Sequence, residues 1–178
     1  MKLKVCLLLL VTMCSYFKIL AQTAAVEKHL WKVNALAPGF SYEARLSHKL
    51  TLHTETGLTI TGFSAGETDG NSYSDVDANF FFSTGMRQYY NFDKRVAKEK
   101  AVKGNSGNFI GLRVLAYSDE LDGGRSKYIM PGLVWGLQRT YNSRWNLGLE
   151  LGIGYQFQKD NNTPAPIFSF RFGYRIVK

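Results

Sequence analysis

Residues 166–178, "PIFSFRFGYRIVK", alternate strictly: Phe168, Phe170, Phe172, Tyr174 and Ile176 interleave with Ser169, Arg171, Gly173 and Arg175. Successive side chains of a β-strand point to opposite faces, so this strand carries one almost wholly aromatic face and one face with two guanidinium groups. Which medium the aromatic face meets decides the fold. The same alternation runs through "NLGLELGIGYQFQ", where Leu147, Leu149, Leu151, Ile153, Tyr155 and Phe157 oppose Asn146, Gly148, Glu150, Gly152, Gly154, Gln156 and Gln158. In "VDANFFFSTGMRQYY" the apolar set is Val76, Ala78, Phe80, Phe82, Met86 and Tyr90. "YIMPGLVWGLQR" and "LTLHTETGLTI" follow the rule more loosely, and "NFIGLRVLAY" has apolar residues on both faces around Arg113. No helical period persists beyond the N-terminal segment, so period 2 dominates.

The chain has 178 residues with 14% aromatics, 17 glycines and 4 prolines. That length suits one domain, and the composition favours strands. Eight strands are expected, near 29–37, 40–47, 50–62, 76–91, 108–118, 128–139, 146–158 and 166–177. The split between the first two places Pro38-Gly39 at the centre of a type II turn; a single strand kinked at Pro38 would leave seven. Connections 47–49, 92–107 and 140–145 then share one end, and 63–75, 119–127 and 159–165 share the other.

Residues 1–21 read as a cleaved secretory signal: Lys2 and Lys4 precede an apolar run from Val5 to Met13, and Ala21 offers a small residue at the cut. Cutting after Ala25 is the alternative. The run is too short for a membrane-spanning helix. Cleavage after residue 21 lowers the formal charge from +8 to +5 and removes both cysteines, Cys6 and Cys14. The domain at 22–178 then has no disulfide and no thiolate metal site.

Lysine placement indicates which face is inside. Lys49, Lys94, Lys98, Lys100, Lys103, Lys127, Lys159 and Lys178 lie in turns, loops or at termini. Polar strand faces use Glu43, Arg45, Glu55, Arg87, Arg113, Glu150, Arg171 and Arg175 instead. An enclosed polar interior favours guanidinium–carboxylate pairing, and a face open to water would take lysine freely. The apolar face is then the outside, which is tolerable in lipid. Aromatics gather toward strand ends, Tyr89, Tyr90, Tyr141, Trp145 and Tyr174 at one rim and Phe63, Tyr117, Tyr128, Phe157 and Phe168 at the other, as interfacial girdles do.

With these features the chain resembles the small, eight-stranded outer-membrane β-barrel family over 29–178. The resemblance implies an all-β, antiparallel up-and-down transmembrane barrel with a side-chain-filled lumen and outer-membrane localisation. It also implies a C-terminal assembly signal recognised by the barrel assembly machinery, matched by Arg171, Gly173 and Ile176; Lys178 departs from the usual terminal aromatic. The family's last strand ends in the periplasm, so the resemblance implies that 47–49, 92–107 and 140–145 lie there. The segment 92–107, with five basic and two acidic residues over 93–107, is expected to be a solvated, partly disordered turn; the alternative is a patch for an acidic envelope partner. Nucleic acid is not expected as a partner.

The expected function is a non-enzymatic envelope component, structural or loop-presenting. The rivals are a lipid-modifying barrel enzyme and a soluble ligand-binding barrel. An enzyme would rest on His53, which shares its face with Glu55 and has Thr51 and Ser41 as conceivable nucleophiles; a lone histidine beside a carboxylate in a polar core reads as structural. His29 and His48 lack ligand-spaced partners, so no metal and no cofactor is expected. Glu67, Asp69, Asp75, Asp119, Glu120 and Asp122 read as solvated loop acids.

Overall fold

The computed structural model describes residues 25–68, 71–118, 127–158 and 162–176. The expected signal segment lies outside them. Eight antiparallel strands close into one barrel in chain order: β1 (His29–Asn34), β2 (Gly39–Arg45), β3 (Leu50–Thr68), β4 (Asn71–Gln88), β5 (Gly107–Ser118), β6 (Lys127–Tyr141), β7 (Trp145–Gln158) and β8 (Asn162–Ile176). Closure pairs β1 with β8 from Trp31↔Ile176 to Asn34↔Gly173.

Alternation sorts the two faces. Trp31, Phe40, Phe82, Leu112, Leu133, Ile153 and Phe168 lie exposed on the outside, and Lys32, Glu43, Glu55, Arg87, Arg113, Glu150 and Arg171 are buried inside. In β5, Ile110, Leu112 and Val114 face out while Phe109, Arg113 and Leu115 face in. Apolar residues occupy both of its faces because the interior is layered. A central charged layer is covered at one end by Tyr89, Phe92, Phe109 and Val26, and at the other by Phe81, Leu115, Met130 and Ile167.

The chain does divide at the first expected turn, but that turn occupies 35–38 and is closed by the pair Asn34↔Gly39. Gly39 is not in the left-handed region, where Gly104 is the only glycine among the described residues, so Pro38-Gly39 is not the centre of a type II turn. Gly39 serves a close approach instead: a Cβ there would lie 2.3 Å from the Thr56 carbonyl oxygen of β3. Pro131, lacking an N–H, interrupts the β6–β7 ladder between Ile129↔Phe157 and Gly132↔Gly154.

Two connections differ from expectation. Residues 63–68 and 71–75 are strand and not loop: β3 and β4 stay paired out to Thr68↔Asn71, after a register shift between Ile60 and Gly62. β2 pairs with β3 no farther than Gly57, and β5 with β4 no farther than Phe80. The hairpin therefore stands beyond its neighbours by about nine residues of strand, roughly 30 Å at the usual rise.

The segment 92–107 is not a disordered turn either. It forms a short helix, α1 (Phe92–Val96), and a 3₁₀ turn (Lys103–Asn105), with Phe92, Gly104 and Asn105 buried. Gly104 sits at φ +61° and its carbonyl accepts from Gln138 Nε2 at 2.7 Å. The Gly104 amide donates to Glu27 Oε1 at 2.8 Å, and the Glu27 amide to Asn105 Oδ1 at 2.7 Å. These residues plug one end of the barrel.

Candidate functional site

Strand alternation aims inward residues from seven strands at the barrel axis, where a single ion network forms. Glu150 of β7 accepts from three guanidiniums: Arg87 of β4 at 2.5 Å, Arg113 of β5 at 2.8 Å and Arg171 of β8 at 3.1 Å. Arg171 is in register with Gly148, so it reaches Glu150 along a diagonal over a position with no side chain. Its Nε also donates to Glu55 of β3 at 2.7 Å, and Asn34 Nδ2 of β1 donates to the same carboxylate at 2.7 Å. Glu43 of β2 accepts from the hydroxyls of Thr51 and Tyr89, each at 2.7 Å, with Lys32 Nζ 3.8 Å away. Arg87 lies 4.7 Å over the Phe109 ring, a cation–π contact that carries the network into the apolar layer beneath it. Arg113 Nε donates to Ser83 Oγ at 2.8 Å.

Of the eight expected lumen charges, Glu43, Glu55, Arg87, Arg113, Glu150 and Arg171 come together here. The other two stand apart. Arg175 pairs with Glu27 at 2.6 Å near the plug, and Arg45 makes no ion pair among the described residues. The pairs also span the lumen, joining β3 to β8 and β4 to β7, as well as neighbouring strands.

Sequence reasoning missed Lys32, Glu27, Asn34, Gln138 and Tyr89. Lys32 was findable: "HLWKVN" alternates, so the lysine shares the inward face with Leu30 and Asn34. Lysine is thus not wholly excluded from the interior; Gln138 Oε1 accepts from Lys32 Nζ at 2.8 Å. The expected aromatic girdles also need correction. Tyr90, Tyr141, Trp145, Tyr174, Phe157 and Phe168 do face outward, but Tyr89 is buried and Tyr117 and Tyr128 line the interior. The side chain of Phe63 lies outside the described ones, as do those of the six loop acids Glu67 to Asp122.

His53 is buried with Nε2 unpartnered, and its face-mate Glu55 is taken up by Asn34 and Arg171. Thr51 donates to Glu43, and Ser41 Oγ has no partner, so no nucleophile–base–carboxylate relay exists among the described residues. His29 bonds the Tyr42 hydroxyl at 2.6 Å. No group of three or more His, Cys, Asp or Glu among the described residues could hold a metal ion. In the C-terminal strand Arg171 belongs to the ion network, Ile176 is exposed outside, and a Cβ on Gly173 would come within 2.4 Å of the Val33 carbonyl oxygen at the closing seam.

No curated protein and no solved structure matches the chain. A family model described as "Protein of unknown function (DUF3575)" matches residues 5–167. That span takes in all of β1–β7 and the start of β8. This closed eight-stranded barrel with a charged interior belongs to the DUF3575 family.

Proposed function

We propose that the chain is an integral outer-membrane β-barrel of a Gram-negative envelope, with a structural or loop-presenting role and no catalytic one. One observation carries this reading: large apolar side chains stand exposed on the outer face of every strand, from Trp31 and Phe40 round to Leu151 and Phe170. A belt of that extent is unfavourable against water and matches the hydrocarbon layer. The inverse arrangement, apolar inside and polar outside, is what a soluble ligand-binding barrel requires. Tyr90, Trp135, Tyr141, Trp145 and Tyr174 cluster outside near the plug end, at the level of an interfacial girdle. β8, with Arg171, Gly173 and Ile176, is the strand offered to the assembly machinery. The basic 92–107 segment is the surface available to an acidic envelope partner.

The test is fractionation of expressing cells with gels run on unheated and boiled samples. The barrel should stay with membranes through alkaline extraction and migrate faster unheated. A lipid-phase thiol label should reach cysteine at Leu151 and not at Ser41, with the unaltered chain as baseline. A chain that stays in solution without detergent would overturn the proposal.

A further inference from the structure

Between the ion network and the end opposite the plug lies a cavity of about 270 Å³. Its walls are mainly apolar and aromatic, with Phe81, Leu115, Tyr117, Tyr128, Met130 and Ile167, and Thr59 and Ser169 add hydroxyls. Its floor is charged, formed by Arg113, Arg171 and Glu55. We infer that this cavity is a binding site for a compact amphipathic monoanion, an apolar body bearing one carboxylate.

Three observations support this inference. First, the floor has hydrogen-bond donors to spare. A guanidinium presents five N–H groups. Arg113 spends Nε on Ser83 and Nη1 on Glu150; Arg171 spends Nε on Glu55 and Nη2 on Glu150. Arg113 Nη2 and Arg171 Nη1 have no protein acceptor among the described residues, although both side chains are more than nine-tenths buried. A carboxylate is the acceptor that suits such N–H groups.

Second, the buried charges do not balance. Lys32, Arg87, Arg113 and Arg171 face Glu43, Glu55 and Glu150, a formal excess of one positive charge. One monoanion closes that difference. A dianion would overshoot that excess and leave a net negative charge beside Glu55.

Third, the wall suits an apolar body. Tyr117 and Tyr128 are 4.8 Å apart between ring centroids, and Phe81 lies 6.3 Å from Tyr117. Together with Leu115, Met130 and Ile167 they offer no charged group above the floor. Small-molecule sites combine such walls with a few convergent polar groups, and this cavity lies just below the usual lower limit of about 300 Å³, a size for a compact ligand. The site depends on the lumen alone and not on where the barrel resides.

Octanoate is the probe and 1-octanol its uncharged counterpart, each titrated by calorimetry into the intact chain in a non-ionic detergent, with dilution into detergent alone subtracted. Octanoate should saturate one site per chain, and octanol should bind at least tenfold more weakly. Arg113→Gln should weaken octanoate at least tenfold. Because that change also disturbs the ion network, Leu115→Trp provides a second variant, filling the cavity from the wall; it should abolish binding while leaving heat-modifiability in place. Failure of octanoate to saturate, equal binding of octanol, or full binding by Leu115→Trp would each overturn the inference.

Discussion

At Glu150 three guanidiniums converge on one buried carboxylate, so its charge is shared among β4, β5 and β8. Glu150→Gln leaves them without that counter-charge. Breaking a buried pair costs roughly 3–5 kcal/mol. The change should lower the temperature of heat-modifiability, and adding Arg171→Gln should recover part of the loss by removing one uncompensated cation. Purely additive effects would show that the two residues act independently. The proximity of Glu150 and Arg171 could be read from sequence because their strands are consecutive. The bond from Arg171 to Glu55 could not, since those residues are 116 positions apart and meet only after closure. Glycines offer a second contrast. A Cβ at Gly85 would come within 2.1 Å of the Leu112 carbonyl oxygen, whereas one at Gly148 meets nothing nearer than Arg171 Cβ at 3.7 Å. Gly85→Ala should therefore destabilise the barrel by more than 1 kcal/mol, on the scale of other backbone-incompatible substitutions. Gly148→Ala should be neutral or mildly stabilising by the same unfolding measurement.

The plug and the tall hairpin are the two elements whose character differs most from the sequence reading. Over 92–107 the charges suggest a solvated turn, and a five-residue helix is too short to show a period. Its order comes from Glu27, Gln138 and Thr140, partners remote in the chain, which no local pattern reveals. Gly104 is the residue on which this order depends: at φ +61°, with a Cβ placed 2.3 Å from Thr140 Oγ1, it admits no side chain. Gly104→Ala should loosen the plug, and trypsin should then cleave after Arg95 or Lys103 several-fold faster while the barrel band persists. Unchanged cleavage would mean that the plug is held by other contacts. Over 63–75 the frequent Gly, Ser and Asp suggest a loop. The hairpin's backbone ladder nonetheless runs on, and above Phe80 it leans on no other described strand. Joining Gly62 to Asp77 through Asn-Gly, a sequence suited to a two-residue turn, should leave the heat-modifiability temperature within 2–3 °C of the parent, as expected for a change of a few tenths of a kcal/mol.

For the molecule as a whole, period 2 shows the two faces of the strands, because each inward set is bounded by an outward apolar one, whereas the count of eight rests on a break at Pro38-Gly39 that period 2 does not supply. The layering of the interior was hidden, since Phe109 and Leu115 look like any other apolar residues until closure shows which way they point. The ion network has a consequence for how such a barrel comes into being. Glu43, Glu55 and Glu150 draw their partners from strands at both ends of the chain, among them Lys32 and Asn34 of β1 and Arg171 of β8. No run of adjacent hairpins contains a complete set. A partly built sheet would hold uncompensated charges, which a low-dielectric surrounding penalises heavily. Formation should therefore be all-or-none: during refolding into detergent or lipid, gels of unheated samples should show the compact and the unfolded band at every time point, with no persistent species between them.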